Sequence, residues 1–512
     1  MRQALTSHDL PKKAALALAT VAAVYGLVVC APGFRPKHVR DILAGLMNMR
    51  GLGVLAYFGI AGLLLPAADR LRRFGFSSTI LGSLFILFSI LLYADLTLVV
   101  FRPAPAIAEW VLRSFYASIA IWGFSNTNAV KNVGRLYGGG ARTFFGWLRG
   151  WWSKAFVALV LFFFIRQQMH LYLTRGIPFT PSGDELAWWF PMATRTLNEG
   201  LVETIRTVHY TPGVGWLIAL PARILGVHDT EWLFAYPLFI FFAYFMLLIE
   251  LSKTPSALFI GICLWFYVFL CSRDLHHTYG ASLYGESLSA LLLALFLVFL
   301  WNLIGGPSTK KQPSRTAFMG FGLFLNFCLL SKPPISVLGH LFIYGFTLYL
   351  IAGKARLKQK LASATAFIVP ALCGFKFWGF LLLSINGRRS EHSVSIEAFR
   401  QSGIDIWLGI GILKGLFNWG APQFAYNTGL VLALCIAVLC KAQRFLWVSA
   451  TTLFIYWGFV VGLYSTIWQQ IETGSAGRYM SHAAIALILV LPFFLNPRKD
   501  ALGNDKAFGR DT

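Results

Sequence analysis

An all-α, multi-pass membrane fold is predicted by three features of the sequence. Hydrophobic residues make up 57% of the chain, they collect in runs of spanning length, and the basic residues cluster between those runs. Runs of roughly 17 to 25 apolar residues cross a bilayer as helices, because the hydrocarbon core offers no water to open backbone groups. A mean hydropathy of +0.64 speaks against a soluble enzyme. The net charge of +23 does not indicate nucleic acid, since the cations stand in short clusters rather than interleaved with aromatics on one surface. The seven cysteines sit in or beside apolar runs without metal or redox spacing, so core filling is expected and no disulfide framework.

Apolar runs occur near 14–31, 51–68, 79–101, 104–124, 152–173, 212–226, 231–251, 255–272, 282–305, 317–331, 334–353, 361–385, 422–440, 445–466 and 480–496. They predict roughly 13 to 15 transmembrane helices. Lys12 and Lys13 precede the first run, which reads as a retained span. Clusters at Lys131, Arg135, Arg142, Arg149 and Lys154, at Lys310, Lys311 and Arg315, at Lys354 to Lys360, at Lys441 and Arg444, and at Arg498 and Lys499 read as cytoplasmic by the positive-inside rule. The alternate segments, 174–211, 273–281, Lys332 to Pro334, 386–403 and 467–479, are then external. Three runs lie between the first two external segments, where an even number of crossings is needed. The short run at 212–226, with its Pro and Gly, is the one expected not to cross. Residues 1–150 read as an accessory bundle, 151–497 as the functional module and 498–512 as a basic tail. No inverted repeat of the secondary-transporter kind is found.

The longest amphipathic stretch between spans is 181–213. Ser182 and Glu185 have capping-box spacing, with the hydroxyl and the carboxylate each satisfying a free N–H of a starting helix. Asp184 is left with two readings: a favourable first-turn charge, or a carboxylate held ionised by the helix N-terminus and able to accept a proton. Leu186, Trp189, Phe190, Ala193, Leu197, Leu201 and Ile205 recur at helical spacing, which predicts amphipathic helices in the outer interface. Further external polar residues gather at Tyr210, at Arg273, Asp274, His276, His277, Tyr279 and Glu286, at Lys332, and at Arg478 and Tyr479. Adjacent histidines cannot both face one ion from a regular helix, so hydrogen bonding at the interface is the plainer role for His276 and His277. Lys332 reads as a snorkelling lysine or as the partner of an anion, and Arg478 as a helix-end anchor or a phosphate fork.

An Asp-Glu pair in the first external loop (Asp184, Glu185), then Glu199-Gly200, Tyr210-x-Pro212-Gly213, Ser331-Lys332-Pro333 and Gly477-Arg478-Tyr479, resembles the integral-membrane GT-C glycosyltransferases. The likeness is to the branch with the protein O-mannosyltransferases and the lipid A aminoarabinose transferases, and it covers about 152–496. The resemblance implies a catalytic role for Asp184, paired with Glu185, and donor-phosphate contacts from Lys332, Arg478 and Tyr479, with Arg273 or Arg388 as the other basic candidates. It also implies substrate contacts among Tyr210, Asp274, His276, His277, Tyr279 and Glu286. The second acidic position maps to Asp274 or Glu286. The donor would be a sugar on a polyprenyl phosphate, and the acceptor a hydroxyl or amine of a lipid, glycan or protein. The setting would be the outer face of a bacterial inner membrane. No cofactor is implied: the Asp-x-Asp of oligosaccharyltransferases is missing, which speaks against a metal-dependent mechanism, although a divalent metal stays open. An oligosaccharide ligase and a lipid or glycan flippase are the alternatives.

Overall fold

The computed structural model describes residues 10–30, 49–101, 104–140, 142, 154–155, 189–207, 211–228, 230–271, 286–304, 314–331, 333–352, 357–387, 403–416, 423–466 and 473–495. The described residues form helices and short connections, with no strand among them. In chain order the helices are α1 (Leu10–Cys30), α2 (Met49–Arg73), α3 (Ile80–Phe101), α4 (Pro105–Phe124), α5 (Thr127–Val133), α6 (Phe190–Asn198), α7 (Leu201–Thr207), α8 (Gly213–Leu225) and α9 (Tyr236–Leu251). They continue as α10 (Pro255–Cys271), α11 (Glu286–Ile304), α12 (Arg315–Ser331), α13 (Pro333–Ala352), α14 (Leu357–Asn386), α15 (Ile406–Leu416), α16 (Gln423–Leu439), α17 (Gln443–Tyr464) and α18 (Thr473–Phe494). A π-helical turn, Gly134–Gly138, follows α5.

Four helices, α3, α11, α14 and α17, are long and apolar enough to cross a membrane, and several shorter apolar helices accompany them. The chain is an α-helical membrane protein. Prolines open α4 and α9, where no intrahelical N–H is lost. Gly226 closes α8 in the left-handed conformation, φ 71°, which a Cβ would disfavour. Helices approach closely where side chains are small: a Cβ on Gly322 of α12 would stand 2.3 Å from the Phe367 carbonyl of α14. Without water to drive helices together inside a bilayer, such close contact supplies much of the association.

Side-chain contacts sort the helix ends into two groups. At one end, Asp69 near the close of α2 is fully buried and accepts from Arg72 and Arg73 at 2.8 Å each and from Asn132 at 2.7 Å. Glu250, near the close of α9, accepts from the free N–H groups of Ile80 and Leu81 that open α3, and from the Tyr137 hydroxyl. A carboxylate there meets the positive end of the α3 dipole. Burial, and then the charge of Glu250, raise the Tyr137 pKa, so the hydroxyl stays protonated and donating. Asn302 of α11 reaches Ser78 at 2.6 Å, and Trp301 and Phe445 both pack on Phe494. This end carries the basic turn Arg70, Arg72 and Arg73.

The other end gathers the close of α12 and the start of α8 through Thr211 and Ser331. It also holds the closes of α7 and α14 through Asn386 and Ile205, and of α17 through Ser465 and Asp405. The described flanks of 174–211, of the turn at 332, of 386–403 and of 467–479 therefore share one end of the bundle. The expected boundary near 150 falls outside the described residues. Helices on its two sides belong to one hydrophobic core, with α1 packed along α10 and α3 along α12.

Candidate functional site

Asp184, Glu185, Tyr210, Arg273, Asp274, His276, His277, Tyr279 and Lys332 lie outside the described residues. Arg478 lies in the helical backbone of α18, and its side chain is outside the description. Tyr479 and Glu286 are described, as are the immediate neighbours of several others, and these frame the site.

The Thr211 hydroxyl donates to the Ser331 carbonyl at 2.7 Å. One residue from each stand Tyr210 and Lys332, so two separate motifs of the sequence, Tyr-Thr-Pro-Gly and Ser-Lys-Pro, are tied at their ends. Gly213 makes the approach possible: a Cβ there would lie 2.6 Å from the Leu330 carbonyl, a backbone atom that cannot turn aside. The last turn of α12 leaves carbonyls without intrahelical partners, and Thr211 satisfies one of them.

Helices α6 and α7 rest on this junction. The chain reverses at Gly200, φ 83°, so Asn198-Glu199-Gly200 is a helix stop, and Thr196 and Thr204 pair across the break at 2.9 Å. The predicted stripe is buried at Trp189, Ala193, Leu197, Leu201 and Ile205, whereas Glu199 and Arg206 are exposed. The stripe is two short helices packed on α8, α14 and α3. Met192 fills the place a Cβ on Gly215 would take.

Helix α8 enters and leaves at the same end. It starts beside Ser331, its close reaches Arg113 part-way along α4, where Arg113 donates to the Arg223 carbonyl at 3.0 Å, and Trp232 then returns to Gly53 at the start of α2. At 13 residues α8 covers about 20 Å, short of a hydrocarbon core of about 30 Å. This agrees with the parity argument for 212–226. Its anchor is a group the sequence reading passed over: Asp95 of α3, 2% exposed, accepts from Trp216 at 2.9 Å and from Arg223, itself 2% exposed. The available signal was one acid in an otherwise apolar span, since an ionisable group inside a membrane helix needs a partner.

Glu286 opens α11 and is fully buried, within electrostatic reach of Tyr236. It is a first-turn acid on α11, a position the helix dipole favours. Tyr479 is half-buried against Tyr464 and His482, with ring centres 6.2 and 5.8 Å apart, and His482 pairs with Tyr456 at 2.8 Å. This cluster fixes the first turns of α18, and with them the backbone at Arg478. Among the described residues no three His, Cys, Asp or Glu side chains come together as metal ligands.

No protein-family model matches the chain, and no curated protein and no solved structure is similar to it.

Proposed function

We propose that the chain is a membrane glycosyltransferase that moves a sugar from a polyprenyl phosphate to an acceptor hydroxyl or amine at the extracytoplasmic face. The observation that carries the reading is the Thr211–Ser331 hydrogen bond. It joins the two motifs that hold Tyr210 and Lys332, at the end of the bundle where α18, which carries Arg478 in its second turn, begins. In this reading Asp184 takes the proton from the acceptor as it attacks the anomeric carbon. The sugar–phosphate bond breaks, and the charge left on the lipid phosphate is met by Lys332 and Arg478 in a site of low dielectric. Asp274, His276, His277, Tyr279 and Glu286 belong to the substrate side of the same end.

An oligosaccharide ligase would share the phosphate grip and differ in donor size. The flippase alternative draws on one observation, the Asp95–Arg223 pair inside the bundle, since a transport path needs ionisable groups at depth. That pair, however, is closed off and engaged with Trp216. The test is transfer of radiolabelled sugar from polyprenyl-phosphate donors to membrane lipids and proteins. Wild type should transfer and Asp184→Asn should not, with donor binding retained. Lipid scrambling by the purified wild type without any transfer product would reject the enzyme reading.

A further inference from the structure

The basic end of the bundle carries a feature that the proposed reaction does not use. Residues 127–140, made of α5 and the π-helical turn, run across that end as a strap. Arg73 donates to the Asn128 carbonyl at 2.9 Å, Asn132 to buried Asp69 at 2.7 Å, and Tyr137 to Glu250, while Gly140 lies against Ile249. These contacts reach from the close of α2 to the close of α9. Val133, Leu136 and Tyr137 pack on the core beneath.

The outward side holds Lys131 and Arg135, and Arg142 follows two residues beyond the strap, all three exposed. Their neighbours are already neutralised or engaged: Arg72 and Arg73 by Asp69, and Arg70 by the Trp122 ring at 4.2 Å and Ser125 at 2.9 Å. Among the described residues no carboxylate meets Lys131, Arg135 or Arg142; Arg142 donates only to the Gly138 carbonyl, at 3.3 Å. Buried Asp69 and half-buried Glu250 thus fix the inner side of a helix that lies across this end of the bundle, and three cations are left on its exposed side. Cations at a membrane surface attract anionic lipids, and guanidinium groups grip phosphate with two parallel hydrogen bonds.

We propose that the strap is a binding surface for anionic phospholipid headgroups of the leaflet at this end, with Lys131, Arg135 and Arg142 as the phosphate contacts. The surface is preorganised, so binding does not have to order the helix that carries it. The inference stands whether or not the chain transfers sugars.

The test uses the full-length protein purified in a nonionic detergent and titrated with fluorescent phosphatidylglycerol or phosphatidylcholine. Phosphatidylglycerol should bind more tightly. Lys131→Gln, Arg135→Gln and Arg142→Gln together should weaken it, by roughly fivefold for each cation removed, and leave phosphatidylcholine binding unchanged. Lys441→Gln with Arg444→Gln, at the same end but off the strap, should change neither. If the triple variant does not fold, Arg135→Gln alone should show its share of the loss. Equal binding of the two lipids, or full phosphatidylglycerol binding by the strap variants, would overturn the proposal. An equal loss in the Lys441/Arg444 variant would mean diffuse charge rather than a site. Competition by glycerol 3-phosphate at matched concentration would make the ligand a soluble phosphate, and the lipid assignment would fall.

Discussion

Asp95 and Gly213 hold one end of the bundle in two different ways. Asp95 neutralises Arg223 inside the core, and truncating one partner of such a pair leaves the other charge buried and uncompensated. Asp95→Asn should therefore cost about 3–5 kcal/mol, read as a fall in thermal stability of the purified protein. Asp95→Leu with Arg223→Met should recover much of that, less the Trp216 N–H left without its acceptor. Equal losses in the single and double variants would mean that the pair is not the anchor. Gly213 acts by having no side chain. Gly213→Ala places a carbon against the Leu330 carbonyl and should part Thr211 from Ser331, whereas Thr211→Val removes only the hydrogen bond, worth about 1 kcal/mol. Comparing donor binding in the two variants tests the junction: the alanine should be the more damaging. At the proposed donor phosphate, Arg478→Lys keeps the charge and loses the planar fork, so donor affinity should drop, and drop further in Arg478→Ala. Unchanged affinity in both would return Arg478 to a helix-end anchor.

Helix α8 was legible as an anomaly before it was legible as an element. Counting crossings between external segments singled out 212–226, and its shortness and the Pro and Gly within it were the local signs. What the count could not supply was the depth of entry or the anchor, because Asp95 is more than a hundred residues away in sequence and pairs with Arg223 only through the packing of α3 on α8. The re-entrant path makes a concrete prediction. Single cysteines at Thr207 and His228, both exposed, should be labelled from the same side of the membrane, and one at Lys253 from the other. Labelling of His228 together with Lys253 would make α8 a crossing. Helices α6 and α7 show the complementary case: their apolar stripe was readable from spacing, but not its division at Gly200 or its seat on α8, α14 and α3. Periodicity gives a face to be covered and says nothing of what covers it.

Across the whole molecule, the arrangement at the two ends sets the topology expected of it. Cysteines at Asp184, Asp274 and Glu472 should react from one side and those at the basic clusters from the other. Asp184 and Glu472 on opposite sides would dissolve the proposed site. The helical membrane class, the places of most helices and the alternation of basic and non-basic loops were determined by the sequence alone, because they depend on hydropathy and charge summed over short windows, which a bilayer reads directly. The candidate site was legible only as residue types in order: Asp184 and Tyr210 stand in one loop, and Lys332 and Arg478 each follow more than a hundred residues further along the chain. The tertiary structure alone decided that Thr211 meets Ser331, that Asp95 holds Arg223, and that Asp69 and Glu250 pin a strap bearing uncompensated cations. Each of these joins segments distant in sequence, and such contacts follow from how helices pack rather than from what any one of them prefers to be.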